Sequence, residues 1–137
     1  MQLTPVIAIH LSAAVSALLI GPVALWARKG RTQRPRLHRA FGYAWVTLMV
    51  ITAVSALFIR DVSLPHIAGY TPIHLLVPAT FAGLFRGFWA LARGNVSGHR
   101  IAMQATYISA CIVAGAFTLL PSRYLGQLLW HQALSLV

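Results

Sequence analysis

Acidic side chains are nearly absent from this sequence. Its 137 residues include a single Asp or Glu, Asp61, against eleven Lys or Arg, which gives a net charge of +10. Paired carboxylates and a two-metal site require more acidic residues than the chain contains, and its one acid, Asp61, does not belong to a recognisable Ser-His-Asp triad. The sequence therefore argues against a self-contained hydrolase or transferase and against a proton pump driven by carboxylates.

Cysteine and charge are also scarce. The single cysteine, Cys111, lies in an apolar run, so the chain has no cysteine pair for an internal disulfide, a thiolate zinc site or an iron–sulfur cluster. Charged residues make up 9% of the chain, whereas soluble domains carry about 25%. The basic residues lie between long apolar runs, which is typical of the flanks of membrane spans and argues against nucleic-acid binding.

Four apolar segments of about twenty residues or more follow one another along the chain, at 3–27, 40–59, 72–92 and 101–120. Helices of this length cross roughly 30 Å of hydrocarbon. The first segment lacks the preceding basic cluster of a signal peptide, so we predict that it is retained as a span. Because the connections are short, the sequence predicts an all-α membrane protein, an antiparallel bundle of four transmembrane helices in one domain over residues 1–137.

The distribution of basic residues predicts the orientation of this bundle. The first and third connections hold eight Arg or Lys, whereas the opposite side holds Arg60 and Arg123. By the positive-inside rule the two basic connections face the cytoplasm, and both termini face the periplasm of a bacterial inner membrane. The tail after Pro121 is too short to cross again and is predicted to form a short interfacial helix.

The two halves of the chain repeat each other, with bounds at about 3–60 and 71–121. An Ile-His-Leu tripeptide around His10 recurs around His74, and a His-Arg pair at His38 recurs at His99. Each half is therefore predicted to be a helical hairpin that carries one histidine in its first helix and one at the start of its second.

In this topology the four histidines form an outer pair, His10 and His74, and an inner pair, His38 and His99. Neutral imidazoles on facing helices are the usual axial ligands of low-spin haem, and polar side chains inside membrane spans are commonly functional. The histidines therefore predict binding of one or two b-type haems by a membrane electron-transfer protein, with a quinol or a redox partner subunit as electron donor. Either pair is alternatively a metal site for zinc, copper or iron, although two ligands underfill a tetrahedral site.

Arg86 is a cation inside the third apolar segment, far in the sequence from Asp61. It either reaches the headgroups or binds an anion, such as a haem propionate, a lipid phosphate or an acid of a partner subunit. This residue and the small size of the chain leave two further functions open. One is a non-catalytic subunit or assembly factor of a larger membrane complex, or a homo-oligomer, and the other is a metal- or haem-handling carrier.

Four motifs surround the histidines: Ile9-His10-Leu11, His38-Arg39-Ala40-Phe41-Gly42-Tyr43, Ile73-His74-Leu75, and His99-Arg100 with Met103, Tyr107 and Pro121-Ser122-Arg123. With them, residues 7–125 resemble a family of small bacterial membrane proteins of unknown function, and the resemblance implies the four-helix architecture without an activity. More loosely, the histidine layout is similar to that of transmembrane di-haem b-type cytochromes. Those cytochromes commonly set their ligands deeper in the hydrocarbon than His38 and His99 at the rim.

Overall fold

The first two long helices pack side by side. The computed structural model describes residues 4–28, 31, 33–59, 72–118 and 124–133, and within these ranges the regular structure is entirely helical. Helix α1 spans Pro5–Trp26 and helix α2 spans Pro35–Ala56. Contacts between the start of each helix and the end of the other, described below, show that the two run in opposite directions.

The second half of the described chain contains a similar pair. A 3₁₀ turn, Pro72–Leu75, leads into helix α3, Leu76–Ala92. The next helix begins as α4, Val96–Thr106, continues through a π-helical segment, Tyr107–Val113, and ends as α5, Ala114–Thr118. Helix α3 packs mainly against α4.

The tail is helical where it is described. Helix α6, Tyr124–Gln127, continues as a second π-helical segment, Leu128–Ala133. The sequence predicted a short helix in this region, and its interfacial position stays a prediction.

The starts of the helices are encoded locally. Thr4 caps α1, since its hydroxyl accepts the N–H of Ile7, and proline occupies the first turn of both α1 and α2. Asn95 caps α4 by accepting the N–H of Gly98 at 2.9 Å. The preceding residue, Gly94, has φ of 72°, which favours glycine and allows the tight connection between α3 and α4.

Three of the helices have the length and composition of a membrane span: Pro5–Trp26, Pro35–Ala56 and Val96–Phe117. The remaining apolar helix, Leu76–Ala92, has 17 residues. Large apolar side chains cover the outward surfaces, and Leu19, Phe58 and Phe85 are each more than two-thirds exposed. An apolar surface of this extent is unfavourable in contact with water and favourable in contact with the acyl chains of a bilayer.

Small residues allow the helices to approach closely. The buried face of α1 consists of small residues, Ala13, Ala17, Gly21 and Ala24, and the buried face of α3 has Thr80 and Gly87 beside the larger Val77 and Leu84. Because lipid removes most of the hydrophobic drive between helices, membrane helices associate through such close van der Waals contact.

All four long helices contribute to one central cluster. Ala17, Trp45, Met49 and Leu84 are its buried residues, and Met103, Tyr107 and Cys111 pack against it. The rings of Trp45 and Tyr107 lie 6.3 Å apart between centroids, at an angle of 46°. This cluster ties the pair α1 and α2 to the pair formed by α3 and the last long helix.

Gly87 is expected to tolerate alanine. A Cβ atom there would lie 2.6 Å from Cε of Met103, the free end of a flexible side chain that can rotate away. Since alanine is also the better helix former by about 0.5–1 kcal/mol, we expect Gly87→Ala to change the unfolding free energy by less than about 1 kcal/mol. Unfolding in mixed micelles measures this value, and a loss of more than about 2 kcal/mol would show that Met103 is held rigidly.

Candidate functional site

His10 connects α1 to the end of α2. Its half-buried ring places Nδ1 2.9 Å from the carbonyl oxygen of Thr52 and 3.0 Å from Oγ of Ser55. A carbonyl only accepts hydrogen bonds, so Nδ1 carries the proton and Nε2 carries the lone pair of the neutral ring. The Ser55 hydroxyl also donates to the Thr52 carbonyl at 3.0 Å, which holds both groups in place.

His74 binds the same end of α2 from the 3₁₀ turn before α3. Its Nε2 lies 3.1 Å from the carbonyl oxygen of Ala56 and 2.9 Å from that of Ile59. Carbonyls at a helix C-terminus lack partners within the helix, and the Ala56 carbonyl also accepts the N–H of Ile59 at 3.1 Å in the turn after α2. The structure therefore brings both His10 and His74 to the C-terminal end of α2. His74 uses the opposite ring nitrogen from His10.

The inner histidines make matching bonds within their own hairpins. Nδ1 of His38 lies 2.7 Å from the carbonyl oxygen of Ala24, and Nδ1 of His99 lies 3.0 Å from that of Gly87. Each histidine is the fourth residue of its helix, α2 or α4, and each carbonyl lies near the end of the preceding helix. Both acceptors belong to small buried residues, so the imidazole can reach the backbone.

Three of the four imidazoles make the same type of hydrogen bond. His10, His38 and His99 each donate Nδ1–H to a backbone carbonyl, and this bond selects the tautomer in which Nε2 carries the lone pair. A histidine oriented in this way is the usual form of a metal-ligating histidine, because the bond at Nδ1 fixes the ring and increases the basicity of Nε2.

The two pairs lie at opposite ends of the helices. On α2, His38 and the Thr52 carbonyl that holds His10 are fourteen residues apart, or about 21 Å at about 1.5 Å per residue. Trp45 lies seven residues from each and fills the centre of the cluster. Any group bound at one pair is thus separated from the other by packed side chains.

Simple metal ions have few ligands here. Across the residues that the structure describes, no group of three or more His, Cys, Asp or Glu side chains is close enough to hold an ion. A zinc, copper or iron ion would therefore need ligands from water, another chain or the part of this chain that is not described. His66 lies outside the described residues, and His131 is exposed on the tail.

Arg86 does not point toward either pair. The inward face of α3 carries Thr80, Leu84 and Gly87, and Arg86 lies on the opposite, exposed side of that helix. Its predicted role at a cofactor stays a prediction, and its position directs the side chain toward lipid.

The contact between Tyr107 and α1 was not predicted from the sequence. Pro22 interrupts the hydrogen bonding of α1, because it lacks the N–H that would reach the carbonyl of Leu18. The Tyr107 hydroxyl donates to that carbonyl at 3.0 Å. Pro22 is the signal in the sequence, since a proline within a span leaves one carbonyl to be satisfied from elsewhere.

Long apolar helices with lipid-like outward surfaces and few charges define an integral membrane protein. The chain belongs to the family described as Predicted membrane protein (DUF2306), whose model matches residues 7–126. This match confirms the resemblance to a membrane protein family of unknown function. No curated protein and no solved structure matches the chain. The family supplies no activity, so a functional conclusion depends on the geometry of the histidines.

Proposed function

We propose that this protein is an electron carrier of the bacterial inner membrane that binds one or two b-type haems through His10 and His74 and through His38 and His99. The observation that carries the proposal is the shared bond of three imidazoles, Nδ1–H to a backbone carbonyl. That bond prepares Nε2 of His10, His38 and His99 as iron ligands. His74 would bind through Nδ1 or after a turn of its ring, because its Nε2 contacts carbonyls.

The proposal includes four spans arranged as two repeated hairpins, with both termini in the periplasm. Helix α3 with its 3₁₀ turn measures roughly 34 Å, from 17 α-helical residues and four 3₁₀ residues, which is sufficient for a fourth span. The matching bonds of His38 and His99 support the repeat. The eight basic residues in the first and third connections support the orientation.

In this function the residues of the chain would position the haem ligands and limit the access of water. A bound haem supplies one-electron chemistry, and the protein sets its position, its axial ligands and its access to water. Thr52 and Ser55 hold the His10 ring, whereas the Ala24 and Gly87 carbonyls hold the rings of His38 and His99. The packed centre around Trp45 excludes water between the two ends. Such an arrangement suits electron transfer from a quinol or a partner subunit on one side of the membrane to an acceptor on the other.

The test is the reduced-minus-oxidised absorption spectrum of the protein purified in detergent after expression with haem available. Wild-type protein is expected to show low-spin b-type bands. His10→Asn, His38→Asn and His99→Asn retain an N–H at the position of Nδ1, and His74→Gln retains one at the position of Nε2. These variants keep the bonds to the backbone but lose an iron ligand, so we expect folded protein with at least half of the pigment lost.

His131→Asn is the matched control, because it changes an exposed histidine outside both pairs. It is expected to retain the full spectrum. A colourless wild-type protein from cells that load another b-type cytochrome would contradict the proposal. Full pigment in all four ligand variants would also contradict it.

The alternative functions remain proposals that the same preparation can separate. A stoichiometric protein partner that co-purifies with a colourless chain would favour the non-catalytic subunit or assembly factor. Zinc, copper or iron in the purified protein, lost in His10→Asn or His38→Asn, would favour a metal-handling carrier. The lack of a three-ligand cluster among the described residues makes this last function the weaker one.

A further inference from the structure

An aromatic and cationic ladder runs along the outward side of α3. Phe85, Trp89 and Arg93 follow at intervals of four residues, and Phe85 and Trp89 are 69% and 52% exposed. The rings of Phe85 and Trp89 stack at 5.9 Å between centroids, with 26° between their planes. The guanidinium carbon of Arg93 lies 4.9 Å from the centroid of the Trp89 ring. We call these three residues the α3 ladder.

Arg86 stands beside this ladder within the span. It precedes Arg93 by seven residues, so both side chains leave α3 on nearly the same side, from Cα atoms about 10 Å apart along the axis. Arg86 lies six residues before the end of α3 at Ala92, or about 9 Å inside the helix.

Among the residues that the structure describes, Arg86 has no Asp or Glu side chain with which to pair. Asp61 is the only Asp or Glu of the sequence, and it precedes the outer end of α3 by more than ten residues. A guanidinium on the lipid-facing side of a span is costly unless it reaches the headgroups or pairs with an anion. The arginine fork matches the oxygens of a phosphate or a carboxylate.

Comparison with the first hairpin shows that this feature is specific to α3. There, Arg34 lies over the ring of Trp26, at 5.6 Å from its centroid, as Arg93 lies over Trp89. Trp26 and Trp89 are 63 positions apart, and in the same register Arg86 corresponds to Val23. The first hairpin thus also places an arginine over a tryptophan, although Arg34 caps the start of α2 whereas Arg93 caps the end of α3, and it lacks an arginine within the span.

We propose that Arg86 and the α3 ladder bind one anionic phospholipid. Arg86 and Arg93 hold the headgroup phosphate from two sides, Trp89 lies at the level of the headgroup, and an acyl chain lies along Phe85. A partner helix is a poorer occupant, because helix contacts in membranes favour small residues and this face carries two aromatic rings and two arginines. The strongly basic chain is complementary to an anionic lipid.

Native mass spectrometry of the full chain, released from non-ionic detergent with equal amounts of phosphatidylglycerol and phosphatidylcholine, tests this site. The wild type is expected to retain one phosphatidylglycerol in preference to phosphatidylcholine. Arg86→Gln is expected to lower that retention about tenfold, the loss of one charged pair. Arg86→Lys, which keeps the charge but not the fork, is expected to lie between them.

Arg34→Gln is the matched control, because it removes an arginine over a tryptophan without an arginine in the span. It is expected to retain the lipid as the wild type does. Equal loss in Arg34→Gln and Arg86→Gln would show that only the total charge matters, and would overturn the proposal. Equal retention of the two lipids by the wild type, or an Arg86-dependent protein partner with no bound lipid, would also overturn it. The thermal midpoint of Arg86→Gln in the same detergent checks its folding.

Discussion

Gly21→Ala is expected to lower the free energy of unfolding by about 2–3 kcal/mol. A Cβ atom at this position would overlap Cε2 of Tyr107, and it would lie 2.7 Å from Cδ2 of the same ring and 3.2 Å from Nε1 of Trp45. Both neighbours are rigid rings. Trp45 is 5% exposed in the central cluster, and the half-buried ring of Tyr107 is held by its hydroxyl bond to the Leu18 carbonyl, so relief of the overlap disturbs one or the other. Relief of the overlap would separate α1 from the last long helix.

Gly42→Ala is the matched control for this prediction. Gly42 lies in α2, and a Cβ atom there would meet nothing within 4 Å. Alanine is therefore expected to leave stability unchanged or to raise it by about 0.5–1 kcal/mol through helix propensity. Both variants can be compared by unfolding in mixed micelles of detergent and SDS. Equal stability of the two alanine variants would mean that Tyr107 does not pack on Gly21.

Tyr107→Phe is expected to cost about 1–2 kcal/mol, because it leaves the Leu18 carbonyl without a donor in a region that contains no water. Pro22 is the reason that this carbonyl needs Tyr107. In a Pro22→Ala background, the new N–H at position 22 can bond to Leu18 as in a regular helix. The loss of the Tyr107 hydroxyl should then cost less than about 0.5 kcal/mol.

A double-mutant cycle of these two substitutions measures the coupling directly. We expect a coupling free energy of about 1 kcal/mol or more between two residues that do not bond to each other. The effect of Pro22→Ala alone on the unfolding free energy cancels in the cycle, so the coupling can be measured whatever its size. Additive effects would show that the hydroxyl of Tyr107 and the gap left by Pro22 are unrelated.

Much of the helical layout follows from composition and periodicity. Most of the described residues of the four apolar runs are helical, and proline and asparagine determine where α1, α2 and α4 begin. The positions of the histidines at the helix ends follow as well, because His38 and His99 stand three residues after the first residue of their helices. These features are local, so the sequence around each residue is sufficient to predict them.

The partners of these residues could not be predicted in the same way. Nothing near His10 indicates that its ring reaches Thr52 and Ser55, more than forty positions later. Likewise Pro22 reveals an unsatisfied carbonyl at Leu18, but the choice of Tyr107 depends on how the two hairpins pack. His74 bonds through Nε2, whereas His10, His38 and His99 bond through Nδ1. The rotation of each ring decides which nitrogen is used, and the spacing of the histidines in the sequence does not predict that rotation.

The bonds of His38 and His99 have a consequence for the synthesis of the chain. Each bond joins the two helices of one hairpin close to their connection, and neither requires a residue from the other half. Since a ribosome delivers the N-terminal half first, the first hairpin can close in the membrane before α3 has been translated. The second hairpin then closes in the same way, and the contact between Tyr107 and Leu18 forms only when the two finished hairpins dock.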